Sequence, residues 1–322
     1  MRVLSDDDVA SVLDLETLLP VVEQAFRKQG RGDVERPERP HFPVGAGIES
    51  EEPLGTGLTM PAYIHGSDYY ATKLASVHEA NPDRGLPTVQ AQIAVTDART
   101  GEPAAMMAGT RVTNARTGCI GGLAAEHLAS ADGPVRLGVI GAGTQARWQT
   151  RAIAAARGVA DVRVYSPSTS REGCAADLRA EGFDAKAVDS ARAAVEDVSV
   201  VVTATTATAP VFPGDALSPG TLVVAVGAYT AEMRELDAAT VERAAKLFAD
   251  VPEEAATTGD FPAHDADALT PLSTVFEGEA GRGSADEIIV VASVGSAVLD
   301  AAASAALYER ALAENVGTDV SL

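Results

Sequence analysis

The hydrophobic positions change rhythm partway along this chain. In "SDDDVASVLDLETLLPVVEQAFRKQG" (5–30), Leu13, Leu18, Val22 and Phe26 recur on one face, which predicts one amphipathic helix or two short ones. Ser5 or a neighbouring aspartate can cap its start, and Gly30 and Gly32 end it. Residues 33–66 are rich in Pro and Gly and alternate only in short pieces. "YYATKLASV" (69–77) and "TVQAQIAVTDARTGEPAAMMAG" (88–109), with "DARTG" as a turn, read as antiparallel strands and a hairpin. The small-residue run from Thr113 to Ser130 reads as a helix leading out of that sheet.

From residue 135 the texture is different. "VRLGVIGAG" (135–143) is a continuous apolar strand that enters glycines, as buried parallel strands do. A helix over 147–157 follows, then "DVRVYS", a helix over 170–181, a strand near 185–188 and a helix over 190–196. "VSVVVTAT", "TLVVAVGA" and finally "EIIVVASVG" supply further strands, and "SAVLDAAASAALYERALAEN" a closing helix. Strands alternating with helices at this spacing predict an α/β chain with a doubly wound parallel sheet of Rossmann type. The expected division is an α+β domain of residues 1–115 and 300–322, with the last helix packed back on it, and a dinucleotide-binding domain of 116–299.

Composition narrows the class. No apolar run approaches a membrane span, and no charged-then-apolar leader opens the chain, so a cytoplasmic protein is expected. The net charge of −21 argues against nucleic acid, whose phosphates it would repel. The acids are dispersed, and only Lys28, Lys73, Lys186 and Lys246 are lysines, a composition that suits high salt, where carboxylate repulsion is screened. An ordinary acidic cytosolic enzyme is the alternative. Cys119 and Cys174, with five scattered histidines, offer no metal-ligand spacing, so no metal is expected.

The turn "GVIGAGTQA" carries G-x-G-x-x-A at Gly141, Gly143 and Ala146. Gly141 permits the tight turn, Gly143 lets a pyrophosphate approach the backbone, and Ala146 lets the helix sit close to the strand. The helix start at Thr144 and Gln145 then offers unpaired N–H groups to the phosphates. Its place between a strand and a helix is the context such a motif needs. At the end of the next strand an acid would select NAD; here "VYSPSTSRE" puts Ser166, then Ser168 and Arg171. Hydroxyls and a guanidinium suit a 2′-phosphate, so NADP is favoured and NAD remains open.

"KLASVHEANPDRGLP", "DARTGEPAAMMAGTRVTNARTG", "GVIGAGTQA", "VGAYTAEMRELD" and "SVGSAVLDAAASAALYERA" together resemble, in order and spacing, the ornithine cyclodeaminase/mu-crystallin family over essentially the whole chain. The resemblance implies a homodimer built through the front domain, with the active site between the front and nucleotide domains. It matches Lys73 to the family's active-site lysine and Arg116 to an arginine near the substrate carboxylate. Arg39, with Arg36 as a competing match, corresponds to a second carboxylate-binding arginine. Thr88, Thr205, Thr206, Val226, Gly227 and Ser293 fall where the family lines the substrate and cofactor cleft. Taken alone, Lys73 would read as an edge-strand residue facing solvent. Asp300, in the family's G-x-A-x-x-D pattern, would read as an ordinary helix-start acid.

One departure matters. Family cyclodeaminases carry an aspartate where this chain has Tyr229, and a phenol is a poor base at neutral pH. The resemblance therefore implies an NAD(P)H-dependent oxidoreductase acting on a small α-imino or amino acid, of cyclic ketimine reductase or alanine dehydrogenase type. Lys73 or Tyr229 would manage the proton. The alternatives are an ornithine cyclodeaminase using bound NAD, and a small-ligand binding protein of mu-crystallin type.

Overall fold

The computed structural model describes residues 1–130 and 132–321. The chain opens with β1 (Arg2–Leu4), α1 (Asp6–Val12), α2 (Leu15–Gly30), β2 (Val34–Glu35), β3 (His41–Val44), β4 (Gly55–Ile64) and β5 (Tyr69–Val77). β6 (Val89–Asp97), β7 (Pro103–Ala108), α3 (Gly109–Leu128), β8 (Val135–Ile140), α4 (Thr144–Arg157), β9 (Val159–Tyr165), α5 (Ser170–Ala180) and β10 (Ala185–Ala187) follow. Then come α6 (Ala191–Val195), β11 (Val200–Thr203), β12 (Leu222–Ala225), α7 (Ala238–Arg243), β13 (Ala244–Ala249) and α8 (Pro252–Ala255). β14 (Thr270–Pro271), α9 (Ser273–Phe276), β15 (Ile288–Ala292), α10 (Ala297–Ala313) and β16 (Thr318–Asp319) close the chain. Two compact units result, Met1–Arg116 with Ala297–Leu322, and Thr117–Ser296, so the division falls inside α3 and just before α10.

The first unit is built on a sheet ordered β16-β1-β7-β6-β5-β4-β2, with β3 also paired to β4. α10 packs on β4, β5 and β6 and against α1 and α2. Period two decides which side chains it covers: Met60, Lys73 and Ile93 stand in register on the covered face, among buried Leu58, Ala62, Ala71 and Val95. Each large apolar side chain so buried contributes about 1.5–3 kcal/mol. The opposite face carries Thr59, Pro61 and Tyr63 on β4, Tyr70, Thr72, Leu74 and Ser76 on β5, and Gln90, Gln92, Ala94 and Thr96 on β6. None of these is charged. The N-terminal segment forms two helices: Leu13 breaks out in extended backbone and Asp14 caps α2 by accepting from the Glu16 N–H. Ser5 and Asp8 form a reciprocal capping box at α1.

The second unit is a wholly parallel sheet ordered β10-β9-β8-β11-β12-β15-β13-β14. The order reverses between β8 and β11, the switch point at which such sheets take ligands at their carboxyl ends. The sequence reading needs correction at one edge. "EIIVVASVG" is the last of this sheet's strands in sequence but sits between β12 and β13, because "AAKLFA" forms β13 outside it. α4 begins at Thr144 rather than at 147, with Gly143 as its N-cap.

Candidate active site

In the first unit Lys73 belongs to an internal strand, flanked by β4 and β6, and its side chain is 3% exposed. The edge-strand alternative is thereby overturned. A lysine placed there must find a counter-charge, and α10 supplies one: the Lys73 ammonium donates to Asp300 Oδ2 at 2.6 Å. Arg116, four per cent exposed in α3, donates from Nε to Asp300 Oδ1 at 2.9 Å. One buried carboxylate thus serves two buried cations and leaves a surplus positive charge. Among the described residues the ammonium makes that one hydrogen bond, and the terminal nitrogens of Arg116 make none.

Burial pushes the Lys73 ammonium down to about 8, with Asp300 opposing and Arg116 and Arg39 adding to the fall. Burial raises the Asp300 carboxyl, but Arg116 and Lys73 outweigh it and hold the group below the ordinary carboxylate range. The influence of Arg39 on Lys73 means that its guanidinium lies within electrostatic reach of the ammonium. Thr88 lies half-buried just before β6, its carbonyl accepting from the His78 N–H.

In the second unit the glycine turn stands at the carboxyl end of β8. Gly141 has φ +109°, and a Cβ there would strike the Ala204 carbonyl oxygen, so the turn requires glycine. A Cβ on Gly143 would meet nothing within 4 Å, and no side chain caps α4, whose first N–H groups stay available to an anion. Ala146 is fully buried, while Thr144 and Gln145 line the start of the helix. These residues fit a dinucleotide pyrophosphate. Beyond β9, Ser166 is buried and its hydroxyl lies 3.4 Å from that of Ser168 and 3.3 Å from that of Ser170. Arg171 folds over this turn, donating to the carbonyls of Ser166 at 3.1 Å and Ser168 at 3.4 Å.

The profile of the ornithine cyclodeaminase/mu-crystallin family matches residues 1–315. The chain belongs to this family. An alanine dehydrogenase of Archaeoglobus fulgidus is 31% identical over 329 residues, covering 99% of this chain and 97% of its own. The structure of Thermococcus litoralis Delta(1)-pyrroline-2-carboxylate reductase in complex with NADH and L-proline superposes with a TM-score of 0.93 at 34% identity, over 99% of this chain and 100% of that one. An archaeal alanine dehydrogenase dimer with bound NAD gives a TM-score of 0.90 at 29% identity, over 100% and 99%.

Within this family fold, the other expected cleft residues divide. Thr206 and Tyr229 are exposed, and Val226 is partly so, in the loops after β11 and β12. The hydroxyl of Thr205 is instead committed to Glu235 at 2.8 Å, as is the Gly227 N–H. Ser293 donates to Asp250 at 2.7 Å, and Asp250 also accepts from the N–H groups of Val294 and Gly295. Sequence reasoning missed the acids. Asp300 reads in the sequence as a helix-start acid, yet it is the shared partner of Lys73 and Arg116. Its signal was an acid inside the Ala-rich, apolar "AVLDAAASAALY", a setting that demands a cation.

Proposed function

We propose that this chain is an NAD(P)H-dependent oxidoreductase that reduces the carbon–nitrogen double bond of a small α-imino acid, a cyclic ketimine or the imine of a keto acid and ammonia. The reverse reaction would oxidise the amino acid. The observation that carries this reading is the buried Lys73–Asp300–Arg116 cluster, with one surplus positive charge and unused N–H donors. A substrate carboxylate would neutralise that surplus, gripped by the fork of Arg116 and by Arg39. When bound, the nicotinamide supplies the hydride for the α-carbon. Lys73 then delivers the proton to the substrate nitrogen, a task for which an ammonium near 8 is suited and an arginine is not. Tyr229 is the second candidate for that proton. The ligands of the T. litoralis relative, NADH and L-proline, support the same substrate class.

The lyase alternative lacks its base, because Tyr229 stands where family cyclodeaminases carry aspartate. Incubation with L-ornithine and catalytic NAD⁺ should release little ammonia or proline, while an imino acid panel should consume NAD(P)H. Robust proline formation from ornithine would overturn the reductase reading. Cofactor binding without turnover of any imino acid would favour the small-ligand binding protein.

For the cofactor, the Ser166–Ser168–Ser170 hydroxyls beside Arg171 support NADPH at least as well as NADH. The uncharged outer face of β4–β6, in a chain of net charge −21, supports a homodimer through the front sheet. The dispersed acids support a cytoplasm of high salt. A solution mass near twice 33.0 kDa in concentrated salt, with dissociation or unfolding in dilute buffer, would check both readings.

A further inference from the structure

Glu235 is a buried acid that the chemistry above leaves unused. It lies in the segment after β12 and is fully buried. Its Oε1 accepts from the Thr205 N–H at 2.7 Å and the Thr205 hydroxyl at 2.8 Å. Its Oε2 accepts from the Thr203 hydroxyl and the Gly227 N–H, both at 2.8 Å. Thr203 ends β11 and Gly227 stands two residues beyond β12, so one carboxylate ties together the exits of two neighbouring strands. The approach is close: a Cβ on Gly227 would collide with the Thr205 carbonyl oxygen and with the Glu235 carboxylate itself. Glu235 is in turn held by Asp260, whose Oδ1 accepts from the N–H groups of Glu235 at 2.6 Å and Leu236 at 2.8 Å.

Among the described residues no Lys or Arg stands among the hydrogen-bond partners of Glu235. Its charge is met by hydroxyl and backbone dipoles, and burial pushes the carboxyl up to about 7. Such a group costs folding energy, and what it provides is fixed geometry. The location says for what. A doubly wound sheet binds one mononucleotide on each half, and the glycine turn and Ser166 belong to the β8–β9 half. The other half of the dinucleotide therefore falls to the exits of β11 and β12.

We infer that Glu235 is a positioning residue that shapes the nicotinamide half of the dinucleotide site through Thr205 and Gly227, while the Gly141–Gly143 turn serves the pyrophosphate. The inference rests on the dinucleotide reading proposed above. Glu235→Gln keeps the shape but sets an amide donor against donors that Glu235 now satisfies. Titration calorimetry of the full chain with NADH and with ADP-ribose, which lacks the nicotinamide, separates the two halves. Glu235→Gln should weaken NADH about tenfold, one lost charge-assisted bond, and leave ADP-ribose within about twofold. Thr203→Val removes a single donor and should give a smaller loss with the same selectivity, which guards against a Glu235→Gln protein that fails to fold. Equal losses for both ligands, or no loss for NADH, would overturn the inference. An unmodified protein that binds neither ligand would instead overturn the dinucleotide reading itself.

Discussion

The first unit gives Lys73 and Arg116 a single carboxylate and leaves N–H groups unspent, whereas the second surrounds Glu235 with four donors and no cation among them. Both arrangements bury charge at several kcal/mol, but they use it differently. A cluster with surplus charge and idle donors is incomplete until an anion arrives. A carboxylate with every acceptor position filled is complete, and acts by fixing the backbone around it. On the proposed reading the first is where a ligand is gripped and the second where a loop is held.

The comparison breaks most readily at Asp300. Asp300→Asn would leave two buried cations without a counter-charge, and breaking a buried pair costs about 3–5 kcal/mol. A carboxylate ligand should restore part of the loss, because it supplies the missing charge. Chemical denaturation with and without acetate measures both effects. A loss below about 1 kcal/mol, the scale of exposed pairs, would mean that the cluster is not ionised as described.

Lys73 comes next. Lys73→Arg retains the positive charge but not a proton that can leave near neutral pH, so turnover should fall about a hundredfold or more, the scale of a lost acid–base group. NADH binding, proposed above for the second unit's turn, should be nearly unchanged. Turnover within a few-fold of the parent would show that charge alone is needed at this position.

How much of this contrast was legible in the chain differs between the units. Period two in "YYATKLASV" and the apolar run "VRLGVIGAG" announced β5 and β8, and the glycine turn announced its own conformation. These signals are local. The position of β15 inside the sheet was not readable, because strand order is set by packing between segments far apart in sequence. Asp300 was unreadable as a partner for the same reason: it meets Lys73 across 227 residues. Glu235 sits in "MRELD", where alternating charges suggest a solvated turn, and its burial follows from Thr203, Thr205 and Gly227 converging on it.

The two units should also separate by pH. With the imino acid saturating and NADH varied, kcat/KM should rise through about 7 as Glu235, faced by Thr203, Thr205, Gly227 and Asp260, ionises and can accept all its donors. With NADH saturating and the imino acid varied, kcat/KM should fall above about 8 as Lys73 loses the proton it must deliver. Stability has its own signs. The Glu235 carboxyl is raised from 4.5, so its contribution is present below pH 4.5 and is lost as pH rises through 7. The Lys73 ammonium is lowered from 10.5, so its burial cost persists below 8 and is relieved between 8 and 10.5. Profiles that move together whichever substrate is varied would merge what the structure separates.

The smallest expected effect concerns the cofactor's adenosine end, where the second unit keeps a cation of its own. Arg171 is partly anchored on the Ser166 and Ser168 carbonyls, and Asp189 lies 3.6 Å from it, so a 2′-phosphate would compete with contacts already made. A bound phosphate should thus gain less from Arg171 than a substrate carboxylate gains from Arg116, which has terminal nitrogens to spare. Arg171→Ala should weaken NADPH by about threefold to tenfold, the scale of an ordinary hydrogen bond rather than a full charge-assisted one, and leave NADH nearly unchanged. Both affinities must be measured at one ionic strength, since screening alone alters phosphate binding. Equal weakening of the two cofactors would remove the 2′-phosphate from this turn, and a clear preference of the unmodified protein for NADH would do the same. In either case the serine hydroxyls would serve the ribose, and the first unit's idle donors would be left as the proposed carboxylate grip.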